Sequence, residues 1–218
     1  MIRNVVFDLD GTLTDPRLGI TRCIRFALES MGRKAPRDDD LLWCIGPPLR
    51  ESFAELMGGD SKSDVEQALI LYRQRFGETG MYENDLYNGI PSLLAELLGT
   101  GHRLFVGSSK PTVYVRPILV HFGLDHWFEG TLGSELDGTN SDKFDLLRSL
   151  LAEYSLDAGE TVMIGDRRHD IEGARSAGMA AIAVAYGYGS GEELREAAPD
   201  AICAKPGDIP AAIEALGA

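Results

Sequence analysis

Short apolar runs alternate along the chain with longer segments in which apolar side chains recur at helical spacing. Four of these runs end at, or are followed directly by, a Gly, Ser or Asp, which is typical of buried strands that lead into a turn. They are Ile2–Phe7, Arg103–Ser108, Thr161–Gly165 and Met179–Tyr186. The helical spacing predicts helices over Pro91–Leu98, Val113–Phe122, Phe144–Tyr154 and Asp170–Ala177. Because strand and helix alternate, we expect an α/β fold with a Rossmann-like parallel sheet and helices on both of its faces.

The interval between the first two strands is too long for a single crossover. About a dozen residues are enough for that connection, yet 92 residues separate Asp10 from Arg103. Apolar side chains within the interval fall on helical faces. The pattern therefore predicts an inserted all-α cap domain over residues 15–85 and an α/β core domain over residues 1–14 and 86–218. Because this insert would begin beside the carboxyl end of the first strand, we expect it to lie over that end as a lid.

Composition narrows the range of partners. Of 218 residues, 34 are acidic and 21 are basic, which gives a formal net charge of -13. Such a balance disfavours nucleic-acid polymers and anionic membranes, and no apolar run approaches the ~20 residues of a membrane span. The three cysteines lack any CxxC pair, which indicates reduced thiols. We expect a cytoplasmic monomer or homodimer that acts on a small molecule.

Aspartates gather at the predicted ends of two strands. Asp8 and Asp10 lie in Asp8-Leu-Asp-Gly-Thr-Leu-Thr-Asp15, and Asp166 and Asp170 lie in Gly165-Asp-Arg-Arg-His-Asp170. Either run alone is equally typical of turn formers and helix caps. Parallel strands bring both runs to one edge, where the carboxylates would repel each other unless a divalent cation neutralised them. All-oxygen ligation with few carboxylates favours Mg²⁺.

A hydroxyl and an ammonium group join these carboxylates. Ser108 ends the second strand, and Lys143 opens a helix behind an Asn140-Ser-Asp142 cap. A lysine at a helix N-terminus is disfavoured by the helix dipole, and a bound anion would offset that cost. Taken singly, each residue is more often an ordinary surface lysine or turn serine. Together they indicate a phosphate site beside the metal.

The order of these motifs resembles that of the haloacid dehalogenase superfamily of aspartate-nucleophile phosphatases. D-x-D-G-T, Ser108-Ser-Lys-Pro111, Lys143 and G-D-R-x-x-D follow one another as they do in that family. The helical insert after the first motif resembles the cap of the phosphoglycolate phosphatase, bacterial 5'-nucleotidase and phosphoglucomutase branch.

The resemblance implies a role for each motif residue. Asp8 would attack phosphorus to form an aspartyl phosphate, while Asp10 would protonate the leaving oxygen and later activate water. The Mg²⁺ ligands would be Asp8, the backbone carbonyl of Asp10, and Asp166, and Asp170 would order the metal's waters. The phosphoryl group would be held by Ser108, Lys143, Gly11 and Ser109.

The resemblance also implies a magnesium-dependent phosphomonoesterase whose cap selects a small phosphate ester. Gly46-Pro-Pro-Leu-Arg50 and Gly133-Ser-Glu-Leu-Asp-Gly-Thr139 are most similar to 5'-nucleotidase members. Phosphoglycolate phosphatase and a sugar phosphomutase of the β-phosphoglucomutase type are the alternatives. Arg50 and Arg17 in the cap are substrate candidates, although simple solvent exposure is an equally good account of both.

One glycine-rich segment superficially suggests a dinucleotide site. Gly187-Tyr-Gly-Ser-Gly191 has the spacing G-x-G-x-G and follows a late strand, so it does not fit that fingerprint. Ser190 and Glu193 predict instead a capping box at the start of the next helix.

Overall fold

The computed structural model describes residues 1–59 and 61–217, so Asp60 and Ala218 lie outside the described residues. The chain divides into two compact units, one made of Met1–Asp15 with Leu86–Ala218 and the other of Pro16–Asp85. We call them the core unit and the helical unit. That the helical unit serves as a cap stays a prediction.

A parallel sheet organises the core unit. Over the described residues the chain has the strands β1 (Asn4–Phe7), β2 (Thr14–Asp15), β3 (Asp85–Leu86), β4 (Arg103–Pro111), β5 (Gly130–Ser134), β6 (Thr161–Gly165), β7 (Ala180–Val184) and β8 (Ala201–Cys203). Six of them form one sheet in the order β5-β4-β1-β6-β7-β8, with parallel pairing throughout. β2 and β3 form a separate two-stranded sheet. The predicted parallel sheet is confirmed.

Helices connect and surround these strands. Those of the described residues are α1 (Arg17–Ser30), α2 (Leu49–Leu56), α3 (Lys62–Glu78), α4 (Ile90–Gly99), α5 (Thr112–His121), α6 (Lys143–Glu153), α7 (Arg168–Ser176), α8 (Gly191–Ala197) and α9 (Ile209–Leu216). None of the helices in residues 1–59 and 61–217 has the length and hydropathy of a membrane span.

The centre of the sheet is apolar and fully buried. Val5, Val6 and Phe7 of β1 expose none of their surface, because β4 and β6 flank this strand and helices cover the sheet. Burial of such side chains is the main free-energy gain of folding. β1 is thereby held rigidly, and so is the polar loop that follows it.

The helical unit is built from α1, α2 and α3. The ring of Tyr72 stacks on Phe76 with 5.3 Å between ring centroids, and it meets Phe53 edge-on at 6.2 Å. Between residues 38 and 56 the structure has two separate elements, a 3-10 helix over Asp38–Cys44 and then α2. Proline rings at positions 47 and 48 explain the break, because proline lacks the N–H that a continuous helix requires.

Candidate active site

The loop after β1 places two aspartates at the carboxyl end of the sheet. The N–H of Asp8 donates to the carbonyl of Ile164 at 2.9 Å, which extends the pairing of β1 with β6 by one residue. The carbonyl of Leu9 then accepts the N–H groups of Thr12, Leu13 and Thr14 at 3.3, 2.9 and 3.0 Å. This tight turn holds Asp8 and Asp10 in buried positions, where they expose 5% and 8% of their surface.

Lys143 connects two of the carboxylates. Its Nζ lies 3.1 Å from Oδ1 of Asp8 and 2.7 Å from Oδ1 of Asp170, and it donates to the carbonyl of Gly107 at 3.1 Å. These three contacts match the three protons of an ammonium group. The predicted helix start is confirmed, because α6 begins at Lys143 and the carboxylate of Asp142 caps it.

Asp166 and Asp170 follow β6, as the motif predicts. Oδ2 of Asp166 accepts the N–H of Tyr188 at 2.7 Å, whereas its buried Oδ1 has no hydrogen-bond partner among the described residues. Both oxygens of Asp170 are engaged, one by Lys143 and the other by the N–H of Arg167 at 3.1 Å. Asp8, Asp166 and Asp170 each offer one oxygen to a common group whose atoms lie within 4.8 Å of one another.

Asp10 pairs with Lys110, for which the sequence motifs predicted no role. Nζ of Lys110 lies 2.8 Å from Oδ2 of Asp10, and both side chains are almost fully buried. Oδ1 of Asp10 is buried and finds no hydrogen-bond partner in the part of the chain that the structure describes. The motif Ser108-Ser-Lys-Pro111 contains Lys110, but the register of β4 with β5 shifts between Ser108 and Pro111. Alternation along an ideal strand therefore could not show that Lys110 points toward Asp10.

Burial and neighbouring charges shift the pKa values of three residues in this cluster. Burial raises the pKa of Asp10, although Lys110 lowers it. Burial also raises the pKa of Asp166, and the charge of Asp170 adds to the effect. Burial lowers the pKa of Lys143, but the carboxylates of Asp170 and Asp8 outweigh it and hold that pKa above its ordinary value.

The donor set fits a divalent cation. Four buried carboxylates, Asp8, Asp10, Asp166 and Asp170, face two lysines, which leaves a formal charge of -2. Isolated charges are strongly disfavoured in such a site. The unpartnered oxygen of Asp166 and the absence of nitrogen or sulfur donors among the three grouped residues match the oxygen ligands of a hard cation.

Three of the residues predicted to hold phosphate make different hydrogen bonds within the protein. Ser108 is buried at the carboxyl end of β4, where its Oγ accepts the N–H of Lys110 at 3.4 Å. Ser109 accepts the hydroxyl of Ser134 through its carbonyl at 2.7 Å. Gly11 donates its N–H to the carbonyl of Thr14 at 2.8 Å, so this N–H serves the turn.

Arg17 and Arg50 lie in the helical unit. Arg17 forms an ion pair with Asp39, and Arg50 forms one with Glu66. Both arginine side chains are about half exposed. Their part in substrate binding stays a prediction.

Comparison with known proteins agrees with the motifs. Residues 5–184 match a family described as haloacid dehalogenase-like hydrolase. A 5'-nucleotidase from Pseudomonas aeruginosa is 49% identical over 92% of this chain and 90% of its own length. A phosphoglycolate phosphatase from Yersinia pestis is 31% identical over 97% of this chain and 93% of its own length.

Two further relatives complete the picture. The tyrosine-protein kinase PtkA of Mycobacterium tuberculosis is 40% identical over 85% of this chain, but the match spans only 62% of that protein. A crystal structure of a predicted phosphatase from Clostridium acetobutylicum superimposes with a TM-score of 0.93 at 36% identity, and the match covers both chains completely.

Proposed function

From the premise that the chain belongs to the haloacid dehalogenase-like hydrolases and is a phosphatase, we propose that it hydrolyses 5'-nucleotides through an aspartyl phosphate on Asp8. The observation that carries the proposal is the buried group of Asp8, Lys143, Asp166 and Asp170, with Asp10 and Lys110 beside it.

Asp8 is suited to nucleophilic attack. Lys143 holds one of its oxygens at 3.1 Å, and a carboxylate needs only positioning and charge neutralisation to attack phosphorus. A bond forms between an oxygen of Asp8 and phosphorus while the bond to the leaving oxygen breaks. Asp10 donates a proton to that leaving oxygen, and it then takes a proton from the water that hydrolyses the aspartyl phosphate. Ser108 would hold one phosphoryl oxygen, and Lys143 would hold another by exchanging one of its three present acceptors for it.

We propose that the cation is Mg²⁺, with Asp8, Asp166 and the backbone carbonyl of Asp10 as its ligands. Asp166 offers its unpartnered Oδ1, whereas both oxygens of Asp170 already accept hydrogen bonds. Asp170 is therefore better suited to order the waters around the cation. When bound, Mg²⁺ would neutralise negative charge on the phosphoryl group.

The substrate proposal is supported by the Pseudomonas 5'-nucleotidase, which is similar over 92% of the chain. Phosphoglycolate is the second candidate, because the Yersinia phosphoglycolate phosphatase is similar over 97% of it. We propose that the helical unit acts as the cap that selects between them. The chain leaves the core unit after Asp15, which lies five residues after Asp10, and returns to it at Leu86. Arg50 and Arg17 would exchange their carboxylate partners for the substrate.

A cytoplasmic location is part of the same proposal. The three cysteines are buried, and within the described residues none forms a disulfide. That pattern is typical of proteins in a reducing compartment, where small phosphorylated metabolites are the available esters.

A phosphate-release assay tests the substrate and the nucleophile together. Nucleoside 5'-monophosphates, phosphoglycolate and hexose phosphates are compared by kcat/KM in the presence of Mg²⁺, and we expect a nucleotide to exceed phosphoglycolate by at least about tenfold. Asp8→Asn should lower release from every ester by about 10³-fold or more, while the exposed-carboxylate control Asp125→Asn should match the parent protein. Retained turnover in Asp8→Asn would reject the nucleophile, and isomerisation of a hexose phosphate without free phosphate would favour a mutase.

A further inference from the structure

The glycine-rich segment after β7 lies directly against the proposed metal ligand Asp166. A Cβ added to Gly187 would come within 2.3 Å of Cβ of Asp166 and 2.4 Å of the carbonyl of Gly11. A Cβ on Gly189 would come within 2.0 Å of the carbonyl of Asp166. Side chains are excluded on both sides of Tyr188, so its N–H can approach Oδ2 of Asp166 to 2.7 Å. The segment therefore packs its backbone atoms directly against Asp166 and holds that residue in place.

The same segment carries two tyrosines that contact the outgoing chain before the helical unit begins. The hydroxyl of Tyr188 donates to Oδ1 of Asp15, which is the last residue of the core unit before Pro16. The hydroxyl of Tyr186 donates to the carbonyl of Thr12 at 3.0 Å. Both hydrogen bonds hold the segment Thr12–Asp15.

The chain that returns from the helical unit is held by the same group. The ring of Tyr87 meets that of Tyr186 edge-on, with 5.0 Å between centroids, and the side chains of Tyr87 and Tyr188 are hydrogen-bonded. The N–H of Tyr87 also donates to the carbonyl of Leu13 at 3.2 Å. We call Tyr87, Tyr186 and Tyr188 the tyrosine cluster. It joins both connections of the helical unit to the loop that supports Asp166.

The segment also makes a helix cap that is only half a capping box. Oγ of Ser190 accepts the N–H of Glu193 at 3.0 Å, as predicted. The carboxylate of Glu193 instead accepts Nε of Arg167 at 2.9 Å and the N–H of Arg168 at 3.0 Å. The start of α8 is thus attached to the two residues that follow Asp166, which gives the segment a second point of attachment near Asp166.

We propose that Tyr188 is a positioning residue that ties the proposed metal ligand Asp166, through its N–H, to the junction of the helical unit, through its hydroxyl on Asp15. The proposal rests on the proposed function in one respect, namely that the helical unit selects the substrate. Loosening Asp15 then reduces the fraction of molecules in which that unit is arranged to bind, which weakens apparent affinity by the same factor. Asp166 keeps its hydrogen bond, because phenylalanine has the same backbone N–H.

Tyr188→Phe separates the two roles. We expect backbone hydrogen exchange over residues 13–17 and 85–88 to increase by about fivefold, because the phenol loses its hydrogen bonds to Asp15 and Tyr87. KM for the best ester should rise by about fivefold with kcat within about twofold, because binding changes and chemistry does not. The Kd of Mg²⁺ for the full chain, measured by calorimetry without substrate, should stay within about twofold of the parent value.

Partner and control variants identify the contact. Asp15→Ala should raise the junction exchange and KM in the same direction as Tyr188→Phe, and the effects of the double variant should be less than the sum of the two single effects. Asp15→Asn keeps an acceptor oxygen and should remain closer to the parent protein than Asp15→Ala. Tyr154→Phe, which removes a phenol whose oxygen accepts the N–H of Thr131, should leave the junction exchange and KM unchanged.

Each arm has an outcome that overturns the tie. Unchanged exchange at the junction in Tyr188→Phe, additive effects in the double variant, or a Mg²⁺ affinity that falls with the hydroxyl would each reject it. The exchange and calorimetry arms need no substrate. A failure of the proposed function, seen as no phosphate release from any ester, is therefore distinct from a failure of this inference.

Discussion

Gly11 admits the carboxylate of Asp166 to the turn after β1. Its φ of +82° lies in the left-handed region that disfavours other residues. A Cβ at this position would lie 2.2 Å from Oδ2 and 2.5 Å from Cγ of Asp166, far inside van der Waals contact. The invariable consequence of any larger residue is that Asp166 or the turn must move. The glycine of D-x-D-G-T is thus a spatial requirement of the carboxylate group.

Gly11→Ala should therefore disturb the metal site beyond its backbone cost. Gly101→Ala is the matched control, since Gly101 has a φ of +87° and an added Cβ would meet no described atom within 4 Å. We expect the control to lower the free energy of unfolding by about 1 kcal/mol and Gly11→Ala by about 2–4 kcal/mol. Gly11→Ala should also weaken Mg²⁺ binding by about tenfold or more, measured by calorimetry. Equal losses in the two variants would show that Asp166 accommodates the methyl group.

Strands with strong apolar patterns were predictable, and weak ones were not. β6 occupies Thr161–Gly165 as expected, and β7 is a shorter version of the predicted run. β5 escaped notice because Gly130-Thr-Leu-Gly-Ser134 contains one large apolar residue, and β8 is three residues long. Their places at the two edges of the sheet explain the weak pattern, because an edge strand is packed on one side only and needs fewer apolar residues.

The end of α3 is joined to the segment after it by ion pairs. Arg75 donates to both oxygens of Glu83 at 2.8 and 3.2 Å, and Arg22 of α1 donates to Oε1 at 2.8 Å. The hydrogen bond from Arg75 is the main reason that the pKa of Glu83 lies below its ordinary value of 4.5. A folded-state pKa below the unfolded value means that the carboxylate stabilises the folded helical unit above pH 4.5. That stabilisation is lost as the pH falls through the folded pKa.

Glu83→Gln should therefore destabilise the protein at pH 7 and not in acid. We expect the free energy of unfolding to fall by about 1–2 kcal/mol at pH 7. The difference from the parent protein should shrink progressively below pH 4.5. Chemical denaturation at several pH values measures it, with Glu78→Gln, an exposed carboxylate in α3, as the control. A difference that stays constant from pH 7 to pH 3 would show that shape rather than charge is responsible.

The candidate site draws its residues from four separate segments of the core unit, namely the loop after β1, the end of β4, the start of α6 and the residues after β6. The gathering of Asp8, Asp166 and Asp170 was predictable, because parallel strands present their carboxyl ends at one edge. The pairing of Lys110 with Asp10 and the contact of Tyr188 with Asp166 were not. Both depend on local backbone geometry, namely a shifted register and a glycine-lined approach. Sequence patterns therefore specify which loops converge, while the structure decides which atoms meet.

The chain as a whole has a formal net charge of -13, and the candidate site is also formally negative. A buried group of four carboxyl groups and two lysines, with a formal charge of -2, should lower the stability of the metal-free protein, and a bound divalent cation should raise it. At a Mg²⁺ concentration of 100 times Kd, the folded state should gain about 2.7 kcal/mol. Asp166→Asn tests this, because the amide keeps an oxygen for the N–H of Tyr188 while it removes one of the buried ionisable carboxyl groups. We expect the variant to be more stable than the parent protein by about 1–2 kcal/mol in EDTA and to gain little from Mg²⁺.

Thermal and chemical unfolding with and without the metal measure both effects, and the exposed Asp125→Asn should behave as the parent protein does. If Asp166→Asn gained as much from Mg²⁺ as the parent protein, Asp166 would not be a ligand. If it were less stable in EDTA, the carboxylate group would be held by its lysines and hydrogen bonds alone, and the argument for a cation from uncompensated charge would fail.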